Sequence, residues 1–272
     1  RRQRQMCIRD RLTQKTPEPG KLPPLLRKIE MDTSTPASLT QLYTLVPSHM
    51  REPYLVHLLH HPPCQKVEVR TDLSDVYRTH KPKLPREEAP AFPLSIIFVA
   101  RCKSAELLSR MLTELGVPNV SLHSMLPQST RLHNLHMFRA RRVPILISTD
   151  VGSRGLDVPD VELVVNWDVP AAWEDYVHRV GRTARKGRPG WAVSFVTEHD
   201  VELVQTIEDK IHKTLTEWDM PESQVLERLS HVSAAKRVAS MALHDEKFGE
   251  QRERNKRKAQ ASQPRSKKHH VQ

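Results

Sequence analysis

A strongly basic stretch at residues 176–188 carries side chains that could act on phosphate groups. Arg182 and Arg185 stand three positions apart in it, and His178 precedes them. Residues at such spacings share one face of a helix, so a helix that continued through the stretch would present the three side chains together. Guanidinium groups donate planar, charge-assisted hydrogen bonds that fit phosphate oxygens. The stretch predicts a phosphate-binding site or, more simply, a solvated basic end of a helix.

A second stretch, residues 148–157, reads Ser-Thr-Asp-Val-Gly-Ser-Arg-Gly-Leu-Asp and follows an apolar segment typical of a buried strand. Small residues directly after a strand expose backbone N–H groups, which can hold phosphate oxygens. In simpler interpretations, Arg154 and Asp157 form an ordinary pair within one helix, and Asp150 only caps the strand end. The two stretches together make a phosphate site the better interpretation.

Three stretches, in this order along the chain, resemble motifs of the DEAD-box RNA helicases. Residues 95–99 (Ser-Ile-Ile-Phe-Val) resemble motif IV, residues 148–157 resemble motif V, and residues 178–185 (His-Arg-Val-Gly-Arg-Thr-Ala-Arg) resemble motif VI. Motif IV alone would be weak, because any buried strand can have such a sequence, but the two longer motifs are specific. The resemblance runs from about residue 39 to about residue 232. It implies the second RecA-like lobe of a helicase core, an α/β fold with a parallel sheet and helices on both faces.

The resemblance implies nucleotide-binding roles for individual residues. Arg182 and Arg185 would be the arginine fingers that contact the γ-phosphate of ATP, and they are the catalytic candidates. Asp157 would contact the ribose, Arg154 would pair with an acidic motif of the opposite lobe, and His178 would couple the nucleotide and RNA sites. The chain has no Gly-x-x-x-x-Gly-Lys-Ser/Thr sequence and no Asp-Glu-Ala-Asp sequence. Ligands for the Mg²⁺ that accompanies ATP are therefore expected in a missing N-terminal lobe, and none is predicted here.

The resemblance also implies a set of residues that hold RNA by its backbone and 2′-hydroxyl groups rather than by its sequence. The set consists of Thr149, Asp150, Gly152, Gln128, Arg131, Lys103 and Ser124. Two positions depart from the family pattern, because Arg101 stands where Thr is usual and Ser124 where Gly is usual. The second departure removes a close-approach glycine, which weakens the RNA assignments. In the simpler interpretation, Gln128 and Arg131 are a helix start and a solvated face.

Apolar patterns predict the elements that must position these residues. Strands are predicted at 39–46, 94–99, 119–122, 143–148, 162–166 and 191–196. Helices are predicted after a Ser48 cap, at 104–115, at 128–138, from Trp173 onward, at 198–215 and from Pro221 through Leu229. Short apolar strands that alternate with amphipathic helices predict a doubly wound parallel sheet that is covered on both faces.

Composition divides the chain into segments. Residues 1–20 are basic, lack periodicity and partly resemble a translated sequencing adaptor, so they are predicted to be disordered or artefactual. Residues 21–37 are predicted to end a lost lobe and to form a linker, and residues 38–232 to form the RecA-like domain. A proline-rich insertion is predicted at 62–93. Residues 233–272 are predicted to be a basic extension, with nine Lys or Arg against two Glu in 247–268.

The formal net charge of +11 favours an anionic partner such as nucleic acid, while aromatic residues make up only 5% of the chain. Three scattered cysteines form no ligand pair, and no apolar run approaches membrane-spanning length. The His-Ser pair at 123–124, the basic extension and Phe-Gly-Glu at 248–250 resemble the family branch that works in small-subunit ribosome assembly. That resemblance implies pre-rRNA or a pre-ribosomal particle as partner, a protein cofactor of the helicase, and a nuclear and nucleolar location.

Two functions stay open at this point. The first is the C-terminal half of an ATP-dependent RNA helicase, inactive as an ATP hydrolase by itself and active as the full-length protein. The second is a non-catalytic RNA-binding or assembly module that retains the helicase motifs. A DNA helicase is a weaker rival, because motifs V and VI in this form favour RNA. An upstream reading frame with a phosphate-binding loop would favour the first function.

Overall fold

A computed structural model describes residues 35–36, 38–64, 92–153, 158–185 and 187–246. The chain divides into two units, Arg1–Ser34 and Thr35–Gln272, and every described residue belongs to the second. Several predictions lie outside the described residues. They concern the N-terminal segments up to residue 34, most of the insertion, Arg154, Asp157 and the extension beyond residue 246.

Seven parallel strands form one sheet within the described ranges. They are β1 (Leu39–Leu45), β2 (Ser95–Phe98), β3 (Asn119–Leu122), β4 (Ile145–Ser148), β5 (Leu163–Asn166), β6 (Gly190–Val196) and β7 (Thr216–Glu217). Their order across the sheet is β3-β4-β2-β5-β6-β1-β7. The predicted α/β fold and its parallel sheet are confirmed. The sequence did not predict β7, because two residues are too few to show a strand pattern.

Helices lie between most of these strands. In the part of the chain that the structure describes they are α1 (Arg51–His60), α2 (Cys102–Glu114), α3 (Gln128–Arg139), α4 (Asp150–Ser153), α5 (Trp173–Val180), α6 (Val201–Ile211), α7 (Glu222–Leu226) and α8 (Leu229–Asp245). Their apolar residues recur at helical spacing, so each long helix buries one face. In α2, for example, Ala105, Leu108 and Leu112 are buried.

The sheet buries apolar side chains on both of its faces, in two separate clusters. In β2, Ile97 belongs to one cluster, whereas Ile96 and Phe98 belong to the other. Successive side chains of a strand point to opposite faces, so a strand that is covered on both sides needs an unbroken apolar run. This double burial explains why the central strands could be predicted from short apolar segments.

The predicted Ser48 cap of α1 is wrong. A short 3-10 turn, Ser48–Met50, precedes the helix, and Met50 stands at the cap position without a capping side chain. The hydroxyl of Ser48 donates instead to Glu198 Oε1 at 2.8 Å. This contact joins the loops that follow β1 and β6.

The helices near the C-terminus also differ from the prediction. The segment that begins after Pro221 forms two helices, because α7 ends at Leu226 and α8 begins at Leu229. Helix α8 continues through the predicted domain boundary between residues 232 and 233. It buries Ala235 and Ala239 in the cluster that also contains residues of α2. The start of the predicted extension therefore packs on the same core as the sheet.

Helix α6 is shorter than the predicted 198–215. Before it, Asp200 Oδ2 accepts hydrogen bonds from the backbone N–H (3.1 Å) and the hydroxyl (2.6 Å) of Thr197, which closes a turn. The helix ends at Ile211, and His212 follows in the left-handed region with φ 53°. These local side-chain and backbone contacts set both ends.

Candidate functional site

The predicted site residues divide between the two edges of the sheet. All strands of a parallel sheet end at one edge, here called the carboxyl edge, and begin at the other, the amino edge. Thr149 directly follows β4, and Lys103 lies at the start of α2, just after β2. Arg182 lies at the opposite edge, because its carbonyl oxygen accepts the N–H of Val161, two residues before β5 begins, at 3.0 Å. The predicted RNA residues and the predicted arginine fingers are therefore on opposite edges.

The predicted fingers lie in a turn and not on a helix. Helix α5 ends at Val180, so the expectation that Arg182 and Arg185 share a helical face with His178 is wrong. Residues 181–185 instead form a turn, which buried Thr183 fixes by donating its hydroxyl to the carbonyl oxygen of Val161 at 2.6 Å. This side chain ties the turn to the amino edge of β5.

A glycine at the start of β6 makes room for the same turn. A Cβ atom at Gly190 would lie 2.3 Å from both Thr183 Oγ1 and the backbone nitrogen of Ala184. A side chain there would push the turn away from the sheet. Ala184 itself has φ 56°, which is uncommon for a residue other than glycine. The position of the fingers therefore depends on contacts between the turn and two neighbouring strands.

The two fingers differ in exposure. Arg182 is half-buried, whereas the side chain of Arg185 is 44% exposed. Arg185 donates through Nε to the carbonyl oxygen of Gly181 and through a terminal nitrogen to Asp160 Oδ1 at 3.2 Å. His178 is exposed in the last turn of α5. The amino edge thus carries two permanently charged groups on a fixed turn, at least one of them open to solvent.

A buried arginine that sequence reasoning missed connects α5 with the carboxyl edge. Arg179 is 3% exposed, and two of its nitrogens donate to the two carboxylate oxygens of Asp150, each at 2.7 Å. A third nitrogen donates to the carbonyl oxygen of Asp168 at 2.7 Å and lies 3.3 Å from Asn166 Oδ1. Helical side chains lean toward the helix N-terminus, which lets Arg179 reach back to this edge. The sequence signal for its burial is its position three residues after Tyr176, which places Arg179 on the same buried face of the helix.

Asp150 therefore has a structural partner in this fold. Its carboxylate neutralises Arg179 and anchors α5 to the end of β4. Such a two-point arginine–carboxylate contact fixes the orientation of both groups. That Asp150 also contacts RNA stays a prediction.

Thr149 and Gly152 have their polar groups engaged inside the protein. Thr149 is 4% exposed, its N–H donates to Leu122 O at 3.2 Å, and its hydroxyl accepts the N–H of Gly152 at 3.1 Å. The N–H of Gly152 is thus engaged inside the protein, and contacts of Thr149 and Gly152 with RNA stay predictions. Glycine is needed there for another reason, because a Cβ atom would lie 2.3 Å from Leu122 O. The close approach of α4 to β3 requires it.

The Gln-x-x-Arg pair opens α3 beside α4. Arg131 donates to Gln128 Oε1 at 3.0 Å and to the carbonyl oxygen of Gly152 at 3.2 Å. Gln128, Lys103 and Ser124 are exposed, and Arg131 is half-buried. The structure thus places four of the predicted RNA residues as solvent-accessible polar groups at the carboxyl edge, where Ser124 Oγ lies 3.5 Å from Sγ of Cys102, the residue before Lys103.

A charged network connects this edge with the C-terminal helix. Glu106 in α2 lies 3.2 Å from Nε2 of the fully buried His123, which follows β3. Arg110 donates to Glu106 and, through two nitrogens, to both carboxylate oxygens of Glu246. The hydrogen bond from His123, followed by those from Arg110, holds the pKa of Glu106 below its usual value against the effect of burial. The network positions the residue before Ser124.

Neither a metal site nor a membrane span is found among the described residues. No group of three or more His, Cys, Asp or Glu side chains in those ranges could hold a metal ion. None of the helices there combines the length and the apolar character that a membrane crossing requires.

Comparison with known proteins gives consistent similarities. Residues 88–187 match the family model of the helicase conserved C-terminal domain. The chain is 53% identical over 270 residues to the ATP-dependent RNA helicase DBP8 of Mycosarcoma maydis, which covers 90% of this chain and 51% of that relative. It is 42% identical over 243 residues to the protein of the same name from Saccharomyces cerevisiae strain S288c (88% and 50%). The chain spans about half the length of the curated relatives that it matches.

Solved structures are similar as well. The chain resembles the E. coli DEAD-box protein SrmB, solved in complex with regulator of ribonuclease activity A, with a TM-score of 0.54 and 30% identity over 68% of this chain and 92% of that one. It also resembles S. cerevisiae Dbp5 bound to RNA and ADP BeF3, with a TM-score of 0.55 and 25% identity over 79% of this chain and 53% of that one.

Proposed function

Because the chain belongs to the DEAD-box ATP-dependent RNA helicases, whose C-terminal RecA-like lobe it contains, we propose that it has two tasks in the whole protein. The carboxyl edge of its sheet holds RNA, and the turn at its amino edge supplies arginine fingers for ATP hydrolysis. One observation carries this proposal. Helix α5 is anchored at the carboxyl edge through Arg179 and leads directly into the turn with Arg182 and Arg185.

RNA contact at the carboxyl edge is proposed for the exposed polar side chains. Lys103 offers an ammonium group, Gln128 an amide and Ser124 a hydroxyl, and Arg131 lies beside them. These groups can donate to phosphate oxygens and 2′-hydroxyl groups, which all RNA sequences share. RNA binding is therefore expected to depend strongly on salt concentration and only weakly on RNA sequence. Support comes from the cluster itself, from the net charge of +11 and from the RNA in the related Dbp5 structure.

The amino-edge turn is proposed as the catalytic contribution. During hydrolysis, negative charge is spread over the oxygens of the transferring phosphate, and preorganised cations stabilise it. Arg182 and Arg185 fit this role, since both are charged at any ordinary pH and Thr183 fixes their turn. Asp157 and Arg154 are proposed as further nucleotide contacts on the motif V resemblance alone. ATP is proposed to bind together with Mg²⁺, whose ligands the motif resemblance assigns to the other lobe of a helicase core.

The proposed setting is processing of pre-rRNA and assembly of the small ribosomal subunit, in the nucleus and nucleolus. The proposal is supported by the resemblance of the His-Ser pair at 123–124, the basic residues of 247–268 and Phe-Gly-Glu at 248–250 to one branch of the family. A pre-ribosomal particle would present much exposed RNA backbone. A protein cofactor of the helicase is part of the same proposal.

Phosphate release by a chimaeric protein tests the catalytic proposal. In the chimaera, this chain replaces the matching region of the Mycosarcoma maydis helicase, and the part of that helicase before the matching region is kept. We expect RNA-stimulated ATP hydrolysis by the chimaera and none by this chain alone. Substitution of a finger, Arg182→Ala or Arg185→Ala, should lower the rate by about 10³-fold or more.

Arg188→Ala is the matched control, because Arg188 is an exposed arginine of the same basic stretch. It should leave the rate near that of the parent chimaera. RNA-dependent hydrolysis by this chain alone, or full activity of both finger variants, would contradict the proposal. In the second case, with RNA binding retained, the non-catalytic RNA-binding module becomes the better account.

A further inference from the structure

The surface around α3 has an unusual charge pattern. No Asp or Glu occurs between Glu114 and Asp150, although charged residues make up 28% of the whole sequence. Helix α3 lies in the middle of this interval. Its exposed side chains are those of Gln128, Ser129, Leu132, His133, His136 and Arg139. The helix therefore presents a solvent face that carries no negative charge.

This face ends in three exposed arginines. The arginine turn, residues 139–142 (Arg-Ala-Arg-Arg), closes α3 just before β4 and so lies at the amino edge of the sheet. All four of its residues are exposed. Arg141 and Arg142 form no ion pair with any residue that the structure describes. Two full positive charges are thus presented to solvent without a carboxylate to neutralise them.

The backbone of the turn favours a residue other than arginine. Arg141 has φ 53°, in the left-handed region where glycine is the usual residue at a helix end. The N–H groups of Arg141 and Arg142 donate to Phe138 O at 3.0 Å and Met137 O at 3.1 Å, the pattern that ends many helices with a glycine. The chain accepts some strain to place a cation at this position.

The helix dipole accounts for only part of this arrangement. A cation in the last turn of a helix is stabilised by the partial negative charge of the unpaired carbonyl groups, which explains Arg139. The same effect could be supplied by Arg139 alone. It does not explain an arginine at the strained position 141 or a further arginine beyond the helix at position 142.

We propose that the solvent face of α3 and the arginine turn form a second RNA-binding surface, which contacts phosphate groups at the amino edge. Helix α3 has 12 residues, so it spans about 18 Å. Gln128, at its first turn, belongs to the RNA cluster of the carboxyl edge. A strand that follows this face would reach Arg141 and Arg142 over side chains of α3, none of which is acidic. RNA is the favoured polyanion because the surface is continuous with that cluster.

Fluorescence anisotropy with a labelled single-stranded RNA of about 20 nucleotides, measured over a salt series, tests the proposal. The double variant Arg141→Gly/Arg142→Gln should weaken binding by the whole chain at least about fivefold at about 0.1 M salt. The slope of log K against log salt should become less steep by about 1.4, which is about 0.7 for each lost phosphate contact.

The matched control, Lys210→Gln/Arg237→Gln, removes the same charge from exposed positions on α6 and α8. It should leave the salt slope unchanged, because a distant charge releases no counterion from bound RNA. Equal effects of the two double variants would overturn the proposal, since general charge would then be the cause.

A backbone control separates binding from folding. Arg141→Gly and His212→Gly both place glycine at a left-handed helix end, so both should raise the midpoint of thermal unfolding. Only Arg141→Gly should weaken RNA binding. Unchanged RNA affinity in Arg141→Gly/Arg142→Gln would overturn the proposal. If that double variant kept its RNA affinity but lost binding to poly-glutamate, the surface would be assigned to an acidic protein instead.

The inference rests on the proposed RNA binding, but the two can fail separately. If the unaltered chain does not bind the RNA, the proposed function and this inference both fail. If the unaltered chain binds the RNA and Lys103→Gln weakens that binding, the proposed function stands. If Arg141→Gly/Arg142→Gln then binds RNA as well as Lys210→Gln/Arg237→Gln does, only this inference fails.

Discussion

At the scale of single residues, Arg179 is the side chain on which both edges of the sheet depend. It is almost fully buried, and its donors meet a carboxylate, a backbone carbonyl and an amide oxygen. A buried guanidinium is tolerated only when its charge is neutralised and its donors are satisfied. Asp150 and Asp168 supply these partners from the ends of two strands, β4 and β5. Arg179 therefore fixes where α5 stands and, through it, where the finger turn begins.

Replacing this arginine should cost much stability. Arg179→Met leaves the carboxylate of Asp150 without its partner, and removal of one member of a buried pair costs about 3–5 kcal/mol. Because the Asp150 side chain is 25% exposed, we expect the lower end of that range, about 3 kcal/mol. Urea unfolding followed by circular dichroism measures the change.

The exposed pair of Arg185 with Asp160 provides the control. Arg185→Met breaks a pair whose side chains are 44% and 35% exposed, and such a pair contributes about 1 kcal/mol or less. A cost for Arg179→Met no greater than that for Arg185→Met would contradict the anchoring role of Arg179.

At the scale of elements, the network of His123, Glu106, Arg110 and Glu246 joins α8 to α2 and to the end of β3. Apolar side chains of α2 and α8 share one core cluster, so the charges add orientation to a contact that burial already favours. Oriented charge pairs fix the relative position of two elements better than apolar contacts, which are not directional. The network should therefore hold the residues next to Ser124 in place.

The stabilising effect of this network should depend on pH. The pKa of Glu106 is lowered in the folded protein, chiefly by the hydrogen bond from His123. A carboxylate with a lowered folded pKa contributes stability above its unfolded pKa of about 4.3, and this stability is lost as pH falls through the folded pKa. Urea midpoints should therefore fall as pH is lowered below about 5, and less steeply in Glu106→Gln.

The matched control for this series is Glu202→Gln, a substitution of an exposed glutamate in the first turn of α6. It should follow the pH dependence of the unaltered chain. If Glu106→Gln also followed the parent at every pH, the network would contribute nothing to the stability of the fold.

At the scale of the whole molecule, the sheet separates the RNA cluster of Lys103, Ser124, Gln128 and Arg131 from the proposed arginine fingers. The cluster is proposed to hold RNA at the carboxyl edge and the fingers to contact the nucleotide at the amino edge, where the arginine turn at the end of α3 is a further proposed RNA contact. Helix α5 joins the two edges, since its arginine reaches one and its C-terminal turn forms the other. An element that touches both sites can transmit a shift at one to the other, provided that RNA and nucleotide favour the same position of the helix.

Substitutions at the two edges should have separable effects in the chimaera. Lys103→Gln should raise the RNA concentration needed for half-maximal stimulation, severalfold at low salt, and leave the maximal rate of hydrolysis unchanged. Arg185→Ala should lower the maximal rate and leave that RNA concentration unchanged. Titration of RNA against the rate of phosphate release measures both quantities, and a loss of maximal rate in Lys103→Gln would contradict the separation of the edges.

Local side-chain patterns were enough to predict most of the architecture. The parallel sheet, six of its strands and the apolar face of each long helix follow from which residues alternate or recur in sequence. The helix ends were less predictable. The end of α5 at Val180 is accompanied by contacts of Thr183 with Val161, just before β5, and with Gly190, the first residue of β6.

The sequence by itself determined the fold class, the family resemblance and the residue types that could bind phosphate. Only the tertiary structure decided that the turn with Arg182 and Arg185 and the proposed RNA cluster lie on opposite edges, that Arg179 is buried between two strand ends, and that Glu246 meets Arg110. The physical reason is that periodicity reports which side of an element avoids water. Which distant groups then meet depends on the order of strands in the sheet and on the packing of helices across it, which no local pattern contains.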